Sequence, residues 1–265
     1  MSVKKEPSGR RSVKVEVEVP GTPEQVWRAI ATGPGISSWF VPTQSEERQG
    51  GQQVCTFGPG MDSASTITVW QPLERFAAEG EMGGPGSPKV ATEWTIEARA
   101  GGKCLVRVVH SLFASTDDWD NQLDGLEKGW PAIFRILRRY LESFSGMECA
   151  AMQFVSFSAD GEAKAWQKLG GQLGLLKLDQ RQRWSTPDGV PRLSGVSLGH
   201  GMTPSTVLLA LDAPVPGTAY IGAFPCGGMA MAYLAVFLYG PSAKAAVLRD
   251  EPIWQRWMSE QFPAS

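Results

Sequence analysis

The 265-residue sequence predicts an α+β protein: an antiparallel sheet curved around one long helix, followed by a second, shorter α+β unit. Three observations carry that expectation. Short strand-like segments, separated by turn signals, follow one another from residue 52 to residue 110, with connections short enough to dictate an antiparallel meander. Apolar residues then recur at steps of three or four from Trp119 to Phe144, the pattern of one long amphipathic helix. Such a helix cannot bury its stripe alone, and the meander before it is the partner that the order of elements provides.

The elements read as follows. Val13, Val15, Val17 and Val19 alternate with Lys14, Glu16 and Glu18, which is a half-buried strand with an inward valine face. Pro20-Gly21 ends it. Thr22-Pro23-Glu24-Gln25 opens a helix, with Thr22 as cap, Pro23 at the first helical position and Gln25 at the reciprocal capping position. Val26, Trp27 and Ile30 form its buried stripe. Gly33-Pro34-Gly35 reads as a break, with one more short helical segment over Ile36 to Phe40, closed by Val41-Pro42. Strands are expected over Gln52 to Phe57, Ser65 to Trp70, Arg75 to Ala78, Val90 to Glu97 and Lys103 to His110. The clusters Gly58-Pro59-Gly60, Gly83-Gly84-Pro85-Gly86 and Gly101-Gly102 match no nucleotide-binding fingerprint and read as turns. The long helix is expected from Thr116 to Phe144, with Pro131 either bending it or marking its start, and with Arg135, Arg138 and Arg139 near the end where cations complement the helix dipole.

Composition excludes several classes. Hydrophobic residues make up 42% and charged residues 20%, the balance of a globular chain. A net charge of −2 gives no electrostatic footprint for nucleic acid. Residues 1–11 are basic but run directly into a strand pattern, so they read as a frayed tail and not as a signal peptide. The longest apolar run, Met229 to Tyr239, is too short for a membrane span. Cys55, Cys104, Cys149 and Cys226 have no paired spacing and only two histidines to join them, so reduced, buried thiols in a cytoplasmic bacterial-type protein are expected, with no metal and no cofactor. Ten tryptophans are many for this length, and indoles serve cavity walls as readily as cores.

The order of strand, two short helices, antiparallel strands and long terminal helix resembles the START-like, SRPBCC helix-grip superfamily. The residues that carry the likeness are Val19-Pro20-Gly21-Thr22-Pro23-Glu24-Gln25-Val26-Trp27, Trp39-Phe40-Val41-Pro42 and Gly129-Trp130, and they are most similar to the branch named for the activator of heat-shock chaperone ATPase homologues. The resemblance covers residues 12–145. It implies that sheet and long helix enclose an apolar ligand cavity. Strand alternation then nominates the lining: Trp94 and Ile96 share one face of their strand, and Cys104, Val106, Val108 and His110 share one face of the next. Trp39, Phe40, Trp94, His110, Trp130 and Phe134 are the candidate wall, unless these side chains meet and fill the space completely.

Residues 146–265 repeat the order in shorter form. A strand is expected over Cys149 to Ser158, a helix over Glu162 to Leu169 carrying Trp166, and strands over Arg192 to Leu198, Thr206 to Leu211, Thr218 to Phe224 and Met229 to Tyr239. Helical patterns follow over Ser242 to Val247 and Ile253 to Phe262. Two alternatives stand: a degenerate second helix-grip domain, its second helix reduced to Gly170 through Leu176, or an α+β extension covering an edge or mouth of the first.

Chemistry is sparse. His110, at an inward strand position, is the one candidate general base; no nucleophile elbow accompanies it, and no catalytic residue is assigned. His200, between Gly199 and Gly201, is expected in a solvated turn. Asp117, Asp118, Asp120 and Asp124 suit the start of the long helix electrostatically and lack the convergence a metal needs. Binding of a hydrophobic small molecule is therefore the leading expectation. A protein-protein module of the chaperone ATPase activator type is the alternative, and a cyclase or hydrolase the third.

Overall fold

The computed structural model describes residues 3–7, 9–81, 88–113 and 120–263, without the side chains of residues 113, 120–122 and 124. The turn at 83–86, the expected helix start at Thr116, Asp117, Asp118 and Trp119 lie outside the described residues, as do the side chains of Asp120 and Asp124. The chain divides into two compact units, Met1–Gly146 and Met147–Ser265.

In the first unit, β2 (Arg10–Pro20) runs into α1 (Pro23–Ala31) and α2 (Gly33–Ser37). A meander follows: β3 (Thr43–Ser45), β4 (Gln52–Thr56), β5 (Asp62–Gln71), β6 (Arg75–Glu81), β7 (Lys89–Arg99) and β8 (Lys103–Phe113). The sheet order is β1-β2-β8-β7-β6-β5-β4-β3, with every described pairing antiparallel. Here β1 (Lys4–Lys5) is a short strand within the expected frayed tail, held by pairing with Ser12 and Arg11. The first long strand thus returns to pair with the last, and α3 (Asp120–Ser143) packs on β2.

Local chemistry explains the helices. Thr22 and Gln25 form the full capping box, Thr22 N–H donating to Gln25 Oε1 at 2.9 Å and Gln25 N–H to Thr22 Oγ1 at 3.4 Å. The expected break at Gly33-Pro34-Gly35 is itself the second helix. Thr32 caps it, Oγ1 accepting from Gly35 N–H at 3.0 Å, and Pro34 sits in the first turn, where a missing N–H costs nothing. Gly35 is required by closeness, since a Cβ there would lie 1.7 Å from the Arg28 carbonyl oxygen. The long helix runs through Pro131, which lies on its exposed side. Leu123, Trp130, Phe134, Leu137, Leu141 and Phe144 make its buried stripe.

The second unit has the same plan with fewer parts. Its first strand, β9 (Cys149–Ser158), pairs with the last, β14 (Met229–Tyr239), in a six-stranded antiparallel sheet ordered β10-β11-β12-β13-β14-β9. The others are β10 (Arg183–Ser185), β11 (Ser194–His200), β12 (Thr206–Ala213) and β13 (Gly217–Cys226). Helix α4 (Glu162–Gln172) packs on β13 and β14, and α5 (Ala243–Gln261) packs on β9 as α3 packs on β2. This unit therefore repeats the order of the first, with a reduced meander and a core of its own. Two expectations change. Gly170 belongs to α4, so no separate second helix forms. Residues 243–261 form one helix through Pro252, again with the proline on the exposed side. Trp166 and Leu169 from α4, and Trp254 and Met258 from α5, meet alternate residues of β12, β13 and β14 in one continuous core. His200 ends β11, exposed, with Nδ1 3.3 Å from the Thr206 carbonyl oxygen. Among the described residues, no helix is long and apolar enough to cross a membrane.

Candidate functional site on the concave face of the first unit

Sheet register sets the inner face. Thr92 stands opposite His110, Trp94 opposite Val108 and Ile96 opposite Val106, without interruption, so the alternation expected on β7 and β8 holds. On β6, Phe76 pairs with Trp94 and Ala78 with Thr92. A bulge between Ile67 and Val69 lets both Ile67 and Trp70 join this face, and Trp70 then lies 5.8 Å from the Phe76 ring and 5.0 Å from Trp27.

All six expected wall residues come together here. Trp39 is anchored by its indole N–H, which donates to the Ala29 carbonyl at 2.8 Å. Its ring stacks on Phe40 at 5.6 Å and meets Trp94 edge-on at 6.5 Å. Trp130 and Phe134, one turn apart on α3, lie 5.0 and 6.1 Å from Trp94. Phe40 lies 5.6 Å from Trp130. The rings touch one another, so at this level they form a packed cluster and not the wall of a void. Trp39, Trp94, His110, Trp130 and Phe134 are buried, Phe40 is half-buried, and Phe57, 5.8 Å from Phe40, is 36% exposed.

His110 has no free nitrogen. Trp130 Nε1–H donates to His110 Nε2 at 2.6 Å, and Thr92 Oγ1 lies 2.9 Å from Nδ1. An indole can only donate, so Nε2 carries the lone pair and Nδ1 the proton, which goes to Thr92. Burial pulls the imidazole pKa from 6.5 down to about 4, so the ring is neutral near pH 7. The arrangement orients Trp130. It offers no lone pair to a substrate proton, because the one it has is taken.

The inner face changes character toward the β3 edge. One transverse row reads Ser45, Gln53, Ser65, Gly80, Val90 and Leu112, each in register with the next. Gln53 is buried, and neither its Nε2 nor Ser45 Oγ has a hydrogen-bond partner among the described residues. The next row holds Thr92 and His110. Thr92, Phe57, Gln53 and Ser45 were not among the expected site residues. Thr92 was two positions from Trp94 on the same strand, and Gln53 alternates with Cys55 in a strand that the pattern did locate, so period-two alternation could have nominated both. Among the described residues, no three His, Cys, Asp or Glu side chains converge as metal ligands.

Residues 10–145 match the family model described as polyketide cyclase / dehydrase and lipid transport. The chain belongs to that family. The match spans β2 to the end of α3 and bears out the helix-grip resemblance. Similar solved structures include the di-domain ARO/CYC BexL from the BE-7585A biosynthetic pathway, at 15% identity and TM-score 0.47, covering 95% of this chain and 93% of that one. DynU16, from the dynemicin biosynthetic locus, is 18% identical at TM-score 0.44, covering 94% and 96%. The Aha1 dimer from Colwellia psychrerythraea is 17% identical at TM-score 0.42, covering 51% of this chain and 98% of that one. No curated protein matches the chain.

Proposed function

We propose that the first unit of this family member binds an apolar, ring-bearing small molecule against the aromatic cluster of its concave face. One observation carries the reading: ring contacts run without a gap from the exposed Phe57 through the half-buried Phe40 to the buried Trp130 and Trp94. Aromatic faces pair well with flat ligands, and apolar pockets with few polar groups are the common small-molecule site. Phe40 and Phe57 have solvent beside them, so they are the rings that move aside when a ligand enters. The family's description, which includes lipid transport, supports a ligand-holding module. An acid-base role for His110 is disfavoured by the occupation of both its nitrogens.

Thermal denaturation in the presence of an aromatic and fatty-acid panel tests this reading. The expected result is a raised midpoint with at least one ring-bearing compound, and a smaller rise in Phe57→Ser, which keeps the parent fold because it alters an exposed ring. Equal shifts in both proteins would place the ligand elsewhere.

A further inference from the structure

We propose that Gln53 Nε2 and Ser45 Oγ form a polar subsite that receives a neutral acceptor oxygen, a ketone or comparable carbonyl, at one end of the bound molecule. The inference rests on the reading of the concave face as a ligand site and adds the chemistry of the ligand's polar end.

Gln53 is 6% exposed, and its amide nitrogen makes no hydrogen bond among the described residues. Buried amide donors are almost always satisfied, so an orphan marks a missing partner. The neighbouring Ser45 hydroxyl is orphaned too. The two residues are directly opposed in the β3–β4 ladder, which sets their Cβ atoms about 5 Å apart on one face. Two unpaired groups on adjacent strands can therefore converge on one oxygen atom. Ser65, the other neighbour of Gln53, points its hydroxyl at the Gln53 main-chain carbonyl, 3.5 Å away, and so does not serve the amide. Gly80, next in the row, has no side chain to offer.

An NH2 group only donates, so its missing partner is an acceptor. The next side chains in the row, Ser65, Val90 and Leu112, carry no charge, and Arg11, in register with Leu112, lies five strand spacings from Gln53, about 24 Å along the sheet. A carboxylate at the amide would meet no cation nearer than Arg11 among the described residues of this row, whereas a carbonyl needs none. By alternation, Gln53, Cys55 and Phe57 share one face of β4 and its continuation. The polar pair and the outermost ring of the aromatic cluster are thus on the same side of the same strand, as a molecule with an aromatic body and an oxygen-bearing end requires.

Tryptophan-fluorescence titration of the full chain with methyl naphthyl ketone and with ethylnaphthalene, which lacks the oxygen, tests the subsite. The parent is expected to prefer the ketone by about tenfold. Gln53→Leu is expected to lose that preference while holding ethylnaphthalene within about twofold of the parent. The unliganded Gln53→Leu protein is also expected to melt above the parent, because an orphaned amide is replaced by an apolar group of similar size. Two compounds bound equally by the parent would overturn the subsite and leave the ligand reading standing, as would a preference that survives in Gln53→Leu. A lowered melting midpoint would overturn it as well, since the amide would then be satisfied already. Binding of neither compound would overturn subsite and ligand reading together.

Discussion

Trp130 and His110 share a 2.6 Å hydrogen bond in which the indole N–H donates to the imidazole Nε2. The bond joins the middle of α3 to the inner face of β8, 20 residues apart in sequence, and it settles the tautomer of the histidine as well as the tilt of the indole. Burial of the same imidazole makes the stability depend on pH. Above pH 6.5 the ring is neutral folded and unfolded, and its full contribution is present. As the pH falls, the unfolded chain takes up a proton near 6.5 while the buried ring resists until about 4, so stability is lost across that window. The loss is about 3 kcal/mol and levels off below the folded value. Urea denaturation at stepped pH values checks it, and His110→Phe is expected to flatten the slope between pH 6.5 and 4.

Removing the donor alone isolates the bond. Trp130→Phe keeps most of the ring area but leaves His110 Nε2 buried without a partner, which is expected to cost about 1–3 kcal/mol. In a double-mutant cycle with His110→Leu, the two effects are expected to be non-additive by about 1 kcal/mol or more, the mark of a direct contact. Strict additivity would place the two side chains out of contact in solution.

Two glycines in helices should respond oppositely to alanine. At Gly35 the new Cβ would stand 1.7 Å from a main-chain oxygen of α1, so Gly35→Ala is expected to destabilise by about 3 kcal/mol or more, or to prevent folding. At Gly125 in α3 nothing among the described residues lies within 4 Å of the added Cβ, and Gly125→Ala is expected to stabilise by about 0.5–1 kcal/mol through lower chain entropy in the unfolded state. Chemical denaturation of both variants gives the comparison directly.

Much of the fold was readable because its signals are local. The valines of β2 and the glycine turns of the meander need only two-residue periodicity and turn chemistry, and the capping box at Thr22 lies within four residues. The very short strands β1, β3 and β10 escaped, since two or three residues hold no period and exist only through their partners. Gly33-Pro34-Gly35 misled because composition marks a break, whereas the Thr32 cap and the fit against Arg28 make a helix. In the site, alternation placed Trp94 and His110 on the right face. It could not show that the rings touch, nor that Trp130 holds the histidine's lone pair, because both depend on where α3 lies over the sheet. The orphaned Gln53 was illegible for a related reason: satisfaction of a buried amide is a property of all its neighbours at once.

Native mass spectrometry of the full chain, after incubation with aromatic ketones and fatty acids, tests the central claim most directly. The account predicts one retained ring-bearing molecule per chain, with retention weakened by at least about tenfold in Phe40→Asp at an unchanged circular-dichroism spectrum. A bare chain with every compound, or equal retention by that variant, would contradict it.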